Sequence, residues 1–92
     1  MSDDVRTERT MVTARRAARD AVQAWIRKED PEPFLDAVPE WQREYAKTLA
    51  RASMERIHSQ AKLVAEMPAL WRGVPAPLKE NVKAYLAARR KS

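Results

Sequence analysis

The sequence predicts an all-α fold: a small helical bundle in one domain. Three observations carry this. The 92 residues hold a single glycine, Gly73. Ala, Arg, Leu, Lys and Glu, all strong helix formers, fill two long stretches free of Pro and Gly. Within each stretch the apolar residues recur at steps of three and four, and no strand-type alternation or internal repeat stands out.

The elements expected, in order, are helices at about 4–28, 31–38, 39–66 and 77–90. Ser2 or Asp3 caps the first, and Asp4 suits the positive end of its dipole. Met11, Ala14, Ala18, Ala21, Val22 and Trp25 form its apolar stripe, with Arg9, Arg16, Asp20, Gln23 and Arg27 opposite. The alanines would let a neighbouring helix approach closely. Val5, Val12 and Ile26 lie beside the stripe among Arg15 and Arg19, forming a second, weaker apolar edge.

Asp30 before Pro31 reads as a cap followed by a first-turn proline, which opens the short second helix. Phe34, Leu35 and Val38 are expected to plug one end of the bundle. Pro39 opens the longest helix, about 40 Å at 1.5 Å per residue. Its apolar face is broad: Trp41, Tyr45, Leu49, Ala52, Leu63 and Met67 on one side, Ala46, Ile57 and Val64 on the other. A face this wide is expected to be covered from two sides.

Pro68 interrupts the hydrogen-bond ladder near Met67. Pro68–Trp71 reads as one more turn, Gly73 as a left-handed cap, and Val74–Pro77 as a stiff, extended connector. The last helix carries Leu78, Val82, Tyr85 and Leu86 on one face. It ends in Arg89, Arg90 and Lys91, cations favoured at a helix C-terminus. The arrangement expected is an antiparallel hairpin of the two long helices, a short helix linking them, and the last helix across the open side. A chain this small hides only about two-thirds of its surface alone, so a homodimer is expected to cover the broad face.

Composition narrows the chemistry. With no Cys, neither a disulfide nor a thiolate–metal staple is available, which suits a reducing cytoplasm. The opening MSDDVRTER reads as no secretory signal, and Asp3, Asp4, Glu8 and Asp20 argue against a transit peptide. No apolar run nears the ~20 residues that span a bilayer, so an integral membrane protein is not expected.

Glu55 and His58 have the Glu-x-x-His spacing of helical di-iron sites. They fall on the solvated face beside Arg51 and Lys62, where a surface ion pair is the better reading. Ser53 and Ser59 lack a visible base, and no glycine-rich loop could hold a phosphate. The expectation is a non-catalytic protein with no metal and no cofactor.

Two binding readings follow. In the first, the chain is a small regulator, adaptor or inhibitor that occupies a partner protein through Trp41, Tyr45, Arg56, Val5, Val12 and Arg19. Trp41 lies at the edge of its stripe, as interface anchors do. Arg56 interrupts an apolar face, where it marks the exit to solvent, an ion pair with Asp20 or Asp36, or a register device at an interface. Trp25 and Trp71 read as core anchors. Small Ala- and Arg-rich helical chains are a common form of bacterial and phage regulators, an analogy of form without a motif.

The second reading rests on a net charge of +5, from 18 basic and 13 acidic residues. Arg6, Arg9, Arg15, Arg16, Arg19, Arg27 and Lys28 could follow a phosphate track, with Arg89, Arg90 and Lys91 adding a second contact. No helix-turn-helix or aromatic stacking platform accompanies them, so base-specific reading is not expected. Association with a lipid surface is a third, more distant reading.

Overall fold

The computed structural model describes residues 3–90, with side chains from residue 13 onward. Every regular element among the described residues is a helix, and none is a strand. Helix α1 spans Asp3–Ile26, α2 Glu32–Asp36, α3 Glu40–Glu66 and α4 Ala76–Arg90, and a 3₁₀ helix covers Pro68–Gly73 between α3 and α4. α1 makes its most extensive contact with α3. α4 packs against both, and α2 fills the angle between α1 and α3.

Small residues build the core. Ala14, Ala17, Ala18, Ala21 and Val22 of α1 meet Ala46, Ala50, Ile57, Ala61 and Val64 of α3, and Val82 comes from α4. Alanine leaves little side chain between two backbones, so the helices sit close and each added methylene would be felt. Trp25 and Trp71 pack half-buried against this core, as core anchors should.

Helix ends differ from expectation for local reasons. α1 stops at Ile26 rather than near 28 because Lys28 takes a left-handed backbone conformation, φ 65°. The Lys28 N–H donates to the Trp25 carbonyl at 3.0 Å and the Glu29 N–H to that of Ala24 at 2.8 Å. These two bonds form a Schellman cap, with lysine where glycine is usual. α2 is shorter than 31–38, and the Asp30 carboxylate accepts the Glu32 N–H at 3.0 Å, as a capping residue would.

Arg43 fastens the next corner. Its Nη2 donates to the carbonyls of Asp36 and Val38 at 3.2 and 3.3 Å, binding the end of α2 to the first turn of α3. Gly73, expected as a left-handed cap, has no positive φ, so the 3₁₀ helix ends without one. Buried Val74 instead pins the connector to the core. α4 then starts at Ala76, one residue before the expected proline.

Two apolar assignments change. Ile26, placed beside the stripe of the first helix, is fully buried. Phe34, expected to plug the bundle with Leu35 and Val38, is 37% exposed while those two are buried. A five-residue helix can turn only one side inward, and α2 turns Leu35.

Candidate functional site

The face of α3 that meets the core is narrower than the apolar pattern suggests. Gln42, Ala46, Ala50, Ile57, Ala61 and Val64 turn inward. The other half of the pattern stays outside. Trp41 is 74% exposed, Met67 53% and Leu63 43%, Ala52 is exposed, and Tyr45 is half-buried. Spaced at steps of four, seven and eleven residues, these residues share one side of α3 from its first turn to the residue that caps its end. Leu70, in the 3₁₀ helix, is exposed as well, at 38%.

Arg56 lies within this strip and is exposed. Of the readings open to it, the exit to solvent describes its place in the single chain. No ion pair with Asp20 or Asp36 forms; the Asp36 carboxylate instead lies 4.0 Å from Arg43 Nε. Trp41, Tyr45 and Arg56 therefore fall on one surface. Arg19 is also exposed but belongs to a different feature, and the side chains of Val5 and Val12 lie outside the described residues.

That second feature is a cleft of about 380 Å³ between α1, α3 and α4. Arg15 and Arg19 line one wall, Ser53 and Asn81 another, and Val22 and Leu49 also line it. Gln23 Nε2 donates to Asn81 Oδ1 at 3.0 Å across it, tying α4 to α1.

Further along, four side chains form a continuous stack. The Arg89 guanidinium lies 3.7 Å from the centre of the Tyr85 ring and 5.2 Å from that of Trp25, whose own rings are 5.2 Å apart. Arg89 Nη1 donates to the Ile26 carbonyl at 3.0 Å. The Tyr85 hydroxyl sits 2.8 Å from His58 Nδ1. So the last turn of α1 reaches the middle of α3 through one ring of α4. His58 is engaged with Tyr85 rather than with Glu55, because α4 crosses beside it.

The stack revises the basic set. Arg89, placed among the phosphate contacts, is half-buried and bonded inside the protein. Arg27 pairs with Glu29 at 3.4 Å. Arg15, Arg16, Arg19 and Arg90 remain exposed, whereas the side chains of Arg6, Arg9 and Lys91 lie outside the described residues. Reading α4 alone missed the role of Arg89. Its spacing of four from Tyr85 was the available signal, but Trp25 and the open carbonyl of Ile26 come from a distant helix.

Among the described residues, no group of His, Asp and Glu is gathered closely enough to hold a metal ion, and no helix is long and apolar enough to cross a membrane. Compared with protein-family models, curated proteins and solved structures, the chain matches none.

Proposed function

We propose that this protein is a non-catalytic helical binding module, a small regulator, adaptor or inhibitor that acts by laying α3 against the surface of another protein chain. The observation that carries this reading is Trp41. A tryptophan left 74% exposed on a regular helix gives up most of the free energy its burial would release. Large aromatic rings of this kind anchor protein interfaces. Leu63 and Met67, 43% and 53% exposed, lie on the same side of the helix toward its other end.

The test is recovery of partners on tagged protein from its native host, with and without nuclease, comparing wild type with Trp41→Ala and Met67→Ala. Both side chains are more than half exposed, so their loss should leave the fold intact. The reading expects one protein recovered stoichiometrically despite nuclease, and lost with Trp41→Ala. Equal recovery by the variants would overturn the assignment of the surface.

One observation favours a second reading. Arg15, Arg16 and Arg19 are exposed on successive turns of α1 and have no ion-pair partner among the described residues. They could contact nucleic-acid phosphates, with Arg90 at the other end of the chain. Affinity for a duplex should then fall by orders of magnitude between about 50 and 200 mM salt. A salt-insensitive complex would remove this reading.

A further inference from the structure

The cleft between α1, α3 and α4 gathers chemistry that the α3 strip does not use. Arg15 and Arg19 line it one turn apart on α1, both exposed and without ion-pair partners among the described residues. Like charges at this spacing repel one another, and an anion held between them relieves that repulsion. None of the described residues lining the cleft is acidic, so the two guanidinia are not neutralised from within it.

The rest of the lining divides by kind. Ala18 and Val22, 5% and 4% exposed, are its deepest residues, and half-buried Leu49 joins them from α3. Ser53 and Asn81 supply polar groups from α3 and α4. Asn81 Oδ1 accepts from Gln23 Nε2, while the Asn81 Nδ2 amide has no partner among the described residues. The volume of about 380 Å³ falls within the range of small-molecule sites, about 300–1,000 Å³.

We propose that this cleft binds a small organic carboxylate, its head held by Arg15 and Arg19 and its apolar body against Ala18, Val22 and Leu49. A guanidinium is a planar fork of donors that matches the two oxygens of a carboxylate. Asn81 and Ser53 add uncharged donors on the walls facing α1.

The apolar lining decides between anions. A phosphate is hydrated on every side, and Val22 and Leu49 return none of the hydrogen bonds it would lose against them. A carboxylate carries its charge at one end and presents hydrocarbon to those residues at the other. Arg56, exposed one turn beyond Ser53 on α3, adds positive potential on that side and favours an anion's approach. The site is separate from the docking strip, since Trp41, Tyr45, Leu63 and Met67 do not line it. It stands or falls independently of the partner-binding reading.

The experiment is a titration of the full, nitrogen-labelled chain with phenylacetate at constant ionic strength, read by amide NMR. Phenylacetamide supplies the body without the charge, acetate the head without the body, and inorganic phosphate a different oxyanion. The expected result is saturable shifts at Ala18, Gln23, Ser53 and Asn81, with a Kd of about a millimolar or below. Each comparison probe should bind at least about tenfold more weakly.

Arg19→Ala should weaken phenylacetate binding about tenfold. Arg16 does not line the cleft, so Arg16→Ala removes the same charge from α1 and should change the affinity less than about twofold. Circular dichroism checks that both variants keep their helicity. No saturable shift up to about 20 mM phenylacetate overturns the proposal. Equal binding of phenylacetamide does so too, since the pocket would then be indifferent to charge. Acetate or phosphate binding as tightly, or equal weakening by Arg16→Ala, would make α1 a diffuse anion surface and overturn it as well.

Discussion

The Arg89 guanidinium lies 3.7 Å from the centre of the Tyr85 ring and at the same time donates to the carbonyl of Ile26, the last residue of α1. One side chain thus caps a helix and closes an aromatic stack. Its positive charge also sits at the negative end of the α1 dipole. Arg89→Ala should destabilise the fold by about 2 kcal/mol, the sum of a cation–π contact and a charged hydrogen bond. Arg89→Lys should recover only part, since an ammonium cannot lie flat on a ring and reach the carbonyl together. Arg90→Ala, at an exposed neighbour, is the control and should change little. Urea denaturation read by tryptophan fluorescence checks all three.

Glycine and lysine stand in exchanged places. Lys28 holds a φ of 65°, a conformation costing a side-chain-bearing residue about 1 kcal/mol, while Gly73 has no positive φ and open space where its Cβ would be. Lys28→Gly should raise stability by up to about 1 kcal/mol. Gly73→Ala should raise it by about 0.4–1 kcal/mol through the unfolded chain. The sites lie on different connectors, far apart in sequence, and the double variant should add the two gains. Thermal melts of the four chains measure this, and destabilisation by either change would contradict the backbone geometry at that site.

Gln42 is buried, 6% exposed, and no donor among the described residues reaches its Oε1. An unmet buried acceptor costs about 1–3 kcal/mol. Gln42→Met keeps the length of the side chain and removes that acceptor, so it should be neutral to stabilising by about 1 kcal/mol. A clear loss of stability would contradict the reading that this acceptor is unmet.

Ala46 is fully buried between α3 and its neighbours. Ala46→Leu should push the helices apart and cost about 1–3 kcal/mol, although leucine is a comparably good helix former. At an exposed position of the same helix, Ala52→Leu should leave the stability of the monomer nearly unchanged. Denaturation of both variants at low protein concentration separates packing from propensity.

Much of the fold was legible because it depends on local physics. The two prolines at 31 and 39 opened helices within a residue of where they should, and Pro68 ended α3 at Glu66. Each fixes φ and removes a donor whatever surrounds it. Lys28 and Gly73 were misread for a related reason. Composition names the residue that tolerates a left-handed turn, but the turn itself is set by where α1 must stop and α2 must begin.

The candidate surface was half legible. Trp41, Tyr45 and Arg56 were picked out by their position on the wheel, and they do share a face. Which half of the α3 pattern would be covered was not readable there. Both halves are apolar, and burial is decided by how many helices come to lie against them.

By itself the sequence determined the helices, their approximate ends and the apolar half of each, because propensity, capping and periodicity act over a few residues. Only the tertiary structure decided which apolar residues stay in water and which cations are spent indoors. Arg89 and Arg15 look alike along the chain, yet one closes a stack with Trp25 and Tyr85 and the other faces an open cleft. The physical reason is that burial and pairing are properties of neighbours, and those neighbours come from helices distant in sequence.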